Sequence, residues 1–242
     1  MNKIVLIGAL VFSFQISCAQ ITWIPKAGLT ISEINTKIDG PDGGTEFNSG
    51  NSSTKLGTTV GIGINMPITK ALSLQPELSF IQKGYAASAY VSVAVDGNVL
   101  EYYNTDSKVT LNYLEMPVLA KYTVSLTKGT TQLFIVAGPS FALGVGGKLK
   151  RETTLYNSGT TTTTSRESKV KFGSDEISSD KYVVERRGDI GLQTGIGAIL
   201  FKKIMVDVRY TRGMTKLWDT DGISIKNRVF QFTVGVPFTL KK

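Results

Sequence analysis

Histidine is absent from the 242 residues and the one cysteine is Cys18. A Ser-His-Asp triad, a His/Cys zinc site and an iron–sulfur cluster are therefore excluded, as is a thiol nucleophile beyond position 18. The chemistry left is that of carboxylates, amines and guanidinium groups. Six such residues, Glu77, Glu115, Lys121, Asp189, Asp207 and Arg209, fall on the same side of alternating segments, the side opposite the apolar one. Lys83 and Arg187 lie near the outer end of that side. Such a set can do three things: act as paired acids, form a gate or narrow ion path, or neutralise itself as a salt-bridge network. Glu77 and Glu115 are the candidate acid pair, with Lys121 and Arg209 as candidate partners. Nearby cations hold both carboxylates ionised, which disfavours acid/base work. Charges of opposite sign in a narrow space must pair, because unpaired buried charge is costly. The expectation is a charge network without catalytic, cofactor-binding or metal-binding residues.

Weaker motifs do not change this. Gly144-Val145-Gly146-Gly147-Lys148 lacks the spacing and the following Ser/Thr of a phosphate loop, and it leaves a strand instead of opening a helix. Asp219-Thr220-Asp221-Gly222 starts like a calcium loop, but no Glu closes it. The stretch 148–187 carries Lys148, Lys150, Arg151, Arg166, Lys169, Lys171, Lys181, Arg186 and Arg187 with acids interleaved. That composition suits a solvated loop, or contact with lipopolysaccharide phosphates.

The elements that must position these residues alternate with period two. In 58–66, Val60, Ile62, Ile64 and Met66 oppose Thr59, Gly61, Gly63 and Asn65. The same pattern runs through 72–80, 133–145, 190–200 and 230–238, and more weakly through 23–34, 110–124 and 204–212. These are eight strands. Short connections at 67–70, 125–129 and 202–203 alternate with long ones at about 35–54, 85–108, 148–185 and 214–225. That rhythm predicts an all-β fold: an eight-stranded antiparallel up-and-down transmembrane β-barrel with short periplasmic turns and long extracellular loops. A soluble lipocalin-like barrel has the same period with reversed faces. The second face decides against it, being mostly Gly, Ser, Thr, Asn and Gln. Trp23, Tyr122 and Phe238 at turn ends, with Phe80, Phe141, Tyr210 and Phe230 nearer loop ends, give two aromatic girdles. Pro76, Pro117 and Pro139 sit inside strands and predict bulges. Asp96-Gly97 signals a hairpin within 89–103, and the low-complexity 159–165 reads as a mobile loop.

Met1 to Gln20 has Lys3, an apolar run from Ile4 to Phe14, and small residues at Ser17 and Ala19. This predicts a signal peptide at 1–19 and an outer-membrane domain at 20–242. The formal charge of +8 is dispersed and gives no nucleic-acid face.

Five segments occur in order: QPELSFIQKG (75–84), YLEMPVLAKY (113–122), AGPSFALG (137–144), DIGLQTGIG (189–197) and VDVRYTRG (206–213). Together they resemble the Bacteroidetes outer-membrane β-barrel family of PorT-like or "porin family" proteins. The resemblance carries over to Gln75, Glu77, Lys83, Gly84, Tyr113, Glu115, Pro117, Lys121, Gly138, Pro139, Asp189, Gly191, Arg209, Tyr210 and Gly213. It implies an eight-stranded barrel without a catalytic site, and for its named member a part in type IX protein secretion. The functional expectation is a non-enzymatic outer-membrane protein with a structural, assembly or surface-interaction role. Its expected partners are outer-membrane lipid, lipopolysaccharide, and proteins of a secretion or surface assembly. The alternative is a narrow channel or transporter for small solutes.

Overall fold

A computed structural model describes residues 21–38, 45–47, 52–95, 98–126, 130–157, 160–173, 181–217 and 223–239. The expected signal peptide, Asp96-Gly97 and Asp219 to Gly222 lie outside them. The strands are β1 (Thr22–Ile38), β2 (Thr45–Phe47), β3 (Ser52–Ser53), β4 (Lys55–Pro67), β5 (Leu72–Val95), β6 (Asn98–Ser125), β7 (Gln132–Asn157), β8 (Thr160–Phe172), β9 (Lys181–Val184), β10 (Gly188–Leu200), β11 (Ile204–Gly213), β12 (Ile223–Gly235) and β13 (Phe238–Thr239). All belong to one sheet, ordered β10-β11-β12-β1-β4-β5-β6-β7-β8-β9, with a further pairing of β7 to β10. The period-2 pattern becomes an outer apolar face and an inner polar one. Leu29, Val60, Leu78, Leu192 and Phe232 are exposed, whereas Thr30, Thr59, Gln193 and Gln231 are buried.

This corrects the expected eight-stranded, wholly antiparallel up-and-down barrel. The sheet has thirteen strands, and β8 pairs with β9 in parallel, Lys169 opposite Lys181 and Phe172 opposite Val184. The physical reason is strand length. A membrane crossing needs about 9–11 residues, and the apolar alternation that marks the expected strands extends over about 9–15 residues. In the structure β5, β6 and β7 have 24, 28 and 26 residues. The expected long loops at 85–108 and 148–185 are therefore largely strand. β5 and β6 stay paired to Val95 opposite Asn98, the hairpin that Asp96-Gly97 signals. β7 and β8 stay paired to Asn157 opposite Thr160. The Thr160 to Ser165 tract, expected to be a mobile loop, is part of β8, where β-branched side chains favour an extended backbone.

The short connections do lie between strand ends, at 68–71, 126–131 and 201–203. The last is a tight turn in which Lys203 N–H donates to Leu200 O at 3.0 Å, with Phe201 and Lys202 both left-handed (φ 54° and 58°). The prolines behave differently from expectation. No register shift occurs at Pro76, Pro117 or Pro139; shifts occur between Val93 and Ala94 and between Asn112 and Tyr113. At the second, Asn112 pairs with Gly146 and Tyr113 with Gly144, leaving Val145 as the extra residue. Gly146 takes φ +147° there, so the glycine-rich run forms a bulge. Pro237 ends the last long strand early: β12 stops at Gly235, and Phe238 resumes as β13 opposite Trp23.

Candidate functional site

The inner face is layered. At the short-turn end lies an apolar cluster of Ile24, Leu119, Phe134, Val136 and Met205, with Ile199 packed against it. At the opposite end lies a larger one with Ile81, Val109, Leu111, Tyr113, Leu149, Val170, Val184, Leu217 and Val229 at its core. The second is built from segments that fold across the interior. Phe172 meets Tyr113 edge-on at 5.4 Å. Gly144 makes room for the Phe172 ring, because a Cβ at that position would lie 2.5 Å from it. Backbone bonds fasten the same segments: Gly144 N–H to Arg187 O at 2.8 Å, Gly173 N–H to Val184 O at 3.0 Å, and Leu217 N–H to Ile225 O at 2.9 Å. Arg187 Nε–H donates to Gly144 O at 2.9 Å. Beside this cluster the Tyr85 and Tyr182 hydroxyls lie 2.9 Å apart, and burial pushes the Tyr85 phenol up.

Between the apolar layers stand the buried charges. Four are cations, Lys26, Lys83, Lys121 and Arg209; four are anions, Glu77, Glu115, Asp189 and Asp207. Among the described residues the interior is therefore neutral. The lower group centres on Arg209, whose Nη1 and Nη2 donate to Glu77 Oε2 and Oε1 at 2.8 and 3.0 Å. That fork is the strong bidentate geometry. Arg209 also reaches Asp207, Nε to Oδ1 at 2.9 Å and Nη2 to Oδ2 at 3.1 Å. Lys26 pairs with Glu77 from the other side. Gln75, Gln193 and Thr233 complete the shell, donating to Glu77 at 2.6 Å, accepting from Arg209 at 3.2 Å and donating to Asp207 at 2.8 Å respectively.

The upper group centres on Lys83, whose Nζ donates to Glu115 Oε1 at 3.1 Å and to Asp189 Oδ2 at 3.3 Å. Ser140 and Gln231 donate to Glu115 at 2.8 and 3.3 Å, and Asn227 donates to Asp189 at 2.9 Å. Lys83 also sits 4.9 Å above the Tyr113 ring.

All six residues singled out in the sequence are thus buried and placed in these two groups or beside them; Arg209 pairs with a glutamate of the candidate acid pair, Glu77, but the partnership expected of Lys121 changes. Glu115 is held by Lys83, not by Lys121. Lys121 instead donates to Gln75 Oε1 at 3.1 Å and lies 4.2 Å over the Phe134 ring. The reason is distance: Lys121 is six residues along β6 from Glu115, about 20 Å in an extended strand. Lys26 went unremarked in the sequence. Its signal was parity, since it shares a face with Gly28 and Thr30 in the weakly alternating first segment.

Each carboxylate is engaged by a cation or by neutral donors, and the pairs lie between two apolar layers. The arrangement fixes strands to one another across the interior; it offers no exposed nucleophile.

The outer face carries its own features. Tyr210 and Phe230 are neighbours at 4.9 Å. Two rungs further along, Arg212 stands opposite Arg228 across β11 and β12, with Glu33 Oε1 4.0 Å from Arg228 Nη1.

Among solved structures the chain is similar to the outer membrane protein OprG from Pseudomonas aeruginosa, at 10% identity and a TM-score of 0.44, covering 92% of this chain and 97% of that one. It is similar to Ail, the attachment invasion locus protein of Yersinia pestis, at 14% identity and a TM-score of 0.39, covering 91% and 99%. It is also similar to the outer membrane protease OmpT from Escherichia coli, at 12% identity and a TM-score of 0.35, covering 93% and 98%. Likenesses this distant carry nothing about activity. No functionally curated protein matches the chain. A family match does extend over residues 17–219, and it is to a broad family, not specifically to the PorT-like or "porin family" proteins that the five segments resemble. With most of its length matched and an apolar outer face, the protein resides in the outer membrane, and the chain belongs to the family described as outer membrane protein beta-barrel domain.

Proposed function

We propose that this protein is a non-enzymatic outer-membrane component that acts through its surface, in a structural, assembly or surface-interaction role. The observation that carries this reading is the interior: neutral, internally paired, and covered by apolar side chains toward each end. Moving an ion or sugar along that path would require breaking bidentate ion pairs and wetting two apolar layers, each costly in a low-dielectric space. The narrow channel or transporter is therefore the second reading. The outer end instead invests in strand that continues well beyond a membrane-length segment, the β5–β8 extension, which is surface offered for contact.

Outer-leaflet lipopolysaccharide is the lipid partner in this reading. Arg212 and Arg228 directly oppose each other on the outer face beside the Tyr210–Phe230 pair. Like charges in that position are unfavourable unless anions join them; Glu33 supplies one beside Arg228, and a lipid phosphate reaching Arg212 would add a second. A protein partner belonging to a type IX secretion assembly follows from the PorT-like resemblance alone.

A liposome-swelling assay with small sugars separates the readings. The surface role predicts swelling no faster than protein-free vesicles. Sugar-size-dependent swelling would move the channel to first place.

A further inference from the structure

The extension formed by β5, β6, β7 and β8 is a four-stranded antiparallel sheet with two open edges. Over Ser88–Val95 the outer edge of β5 has no strand partner among the described residues, since β3 reaches only Ala86 and Ala87. Over Thr160–Ser168 the outer edge of β8 has none either, because β9 joins at Lys169. The two open stretches lie on the same rungs: Ser88, Asp106, Glu152 and Ser165 are successive cross-strand partners, as are Ser92, Tyr102, Tyr156 and Thr161.

Natural edge strands are guarded by charge, proline or a bulge that turns them away. Ser88 to Val93 reads SAYVSV and Thr160 to Ser165 reads TTTTTS, with no charge, proline or glycine in either; the register shift at Val93/Ala94 and the charged Arg166 and Glu167 come only at the far ends of the two open stretches. Both are rich in β-branched or aromatic residues. Tyr90 is 72% and Val91 60% exposed, and Thr160 to Ser165 are exposed throughout. Threonine pairs already link the strands within the sheet, Thr105 with Thr153 and Thr154 with Thr163, each 3.3 Å between hydroxyls. The β8 edge presents the next set of threonines with no strand beside them among the described residues.

The geometry points to a second copy of this chain in the same membrane as the occupant, its β5 edge pairing antiparallel with the β8 edge of the first. Chain direction selects this pairing. Three successive antiparallel pairings make β5 and β8 run opposite ways. A neighbour standing the same way up therefore brings its β5 beside β8 in antiparallel sense. Two like edges can pair antiparallel only about a two-fold axis normal to the sheet. The strands cross the membrane, so that axis lies close to the membrane plane and would turn one copy upside down. In one membrane, then, the antiparallel contact joins unlike edges. Each copy keeps one free edge of each kind, so the association is head-to-tail and continues into rings or rows. This inference rests on the outer-membrane location, not on the proposed surface role.

The test uses full-length protein carrying Cys18→Ser, with Val91→Cys in one tagged population and Thr162→Cys in another, reconstituted in vesicles. These two positions share a rung and a face. A short bis-maleimide is added, and a fluorescent maleimide verifies that both thiols react. The expected result is a crosslinked dimer when the populations share a membrane, several-fold above either alone, and a ladder beyond dimer for the double variant. Accessible thiols without a mixed dimer would overturn the inference. So would Thr162→Cys alone crosslinking as well as the mixture, which means like edges meet. Thr162→Pro, which removes a ladder donor and disfavours the edge, should suppress the ladder while the heat-modified gel shift of the folded protein persists.

Discussion

Removing the Lys83 ammonium by Lys83→Met should be among the most damaging conservative changes in the interior. Its Nζ sits 3.1 Å from Glu115 and 3.3 Å from Asp189, and all three side chains are nearly inaccessible. At an effective dielectric of about 20, each contact is an attraction of about 5 kcal/mol. Desolvation offsets much of that while the pair is intact. Once the cation is gone, two carboxylates remain buried in one group, and the expected cost is about 3–5 kcal/mol. Glu115→Gln should cost less, about 2–3 kcal/mol, because Asp189 still faces Lys83 and the amide can keep part of the Ser140 and Gln231 bonding. The two changes together should fall short of their sum by about 1–3 kcal/mol. Lys121→Met is the contrast. It leaves no carboxylate without its closest cation and places an apolar chain against Phe134 and Met205, so it should stay within about 1 kcal/mol of wild type. Glu115→Gln and Lys121→Met should add to within about 0.5 kcal/mol. The assay is urea-dependent folding into lipid vesicles, followed by the heat-sensitive gel shift. Equal costs for Lys83→Met and Lys121→Met, or strong coupling of Glu115 to Lys121, would refute the two-group description.

Three further outcomes follow from the same measurement. Lys202→Gly should raise stability by about 1 kcal/mol, because it relieves a left-handed non-glycine residue in the β10–β11 turn; no gain would mean the turn conformation is wrong. Gly144→Ala should cost about 1–3 kcal/mol by driving a methyl group into the Phe172 ring; a neutral result would place Phe172 elsewhere. Leu192→Arg on the outer face should cost about 2–4 kcal/mol in a bilayer and much less in short-chain detergent; equal costs in the two media would put Leu192 out of contact with lipid.

Much of this was legible in the residues, and what was not has identifiable causes. Parity alone sent Glu77, Glu115, Asp189, Asp207 and Arg209 to one face, because alternation is local and survives any register. The turns at 68–71 and 201–203 lie within one residue of the expected 67–70 and 202–203, because alternation stops there. Strand length did not follow. In 85–108 and 148–172 the outer face is no longer apolar, since it has left the lipid, so the contrast that marks a membrane strand disappears although the strand continues. Partner choice was also hidden, because it depends on lateral register. Lys83 reaches Glu115 diagonally: its direct partner on β6 is Leu111, four residues away along that strand. The exclusion of Lys121 as the Glu115 partner, by contrast, needed only the rise of an extended strand. No periodicity records the parallel β8–β9 contact, in which Lys169 lies opposite Lys181.

The central claim is that the interior is sealed by paired charge between apolar layers. Planar-bilayer recording of the purified wild-type protein tests it most directly. A sealed interior gives a baseline free of stable conductance steps in symmetrical salt at either polarity. Reproducible steps of one size that persist at low voltage would contradict it.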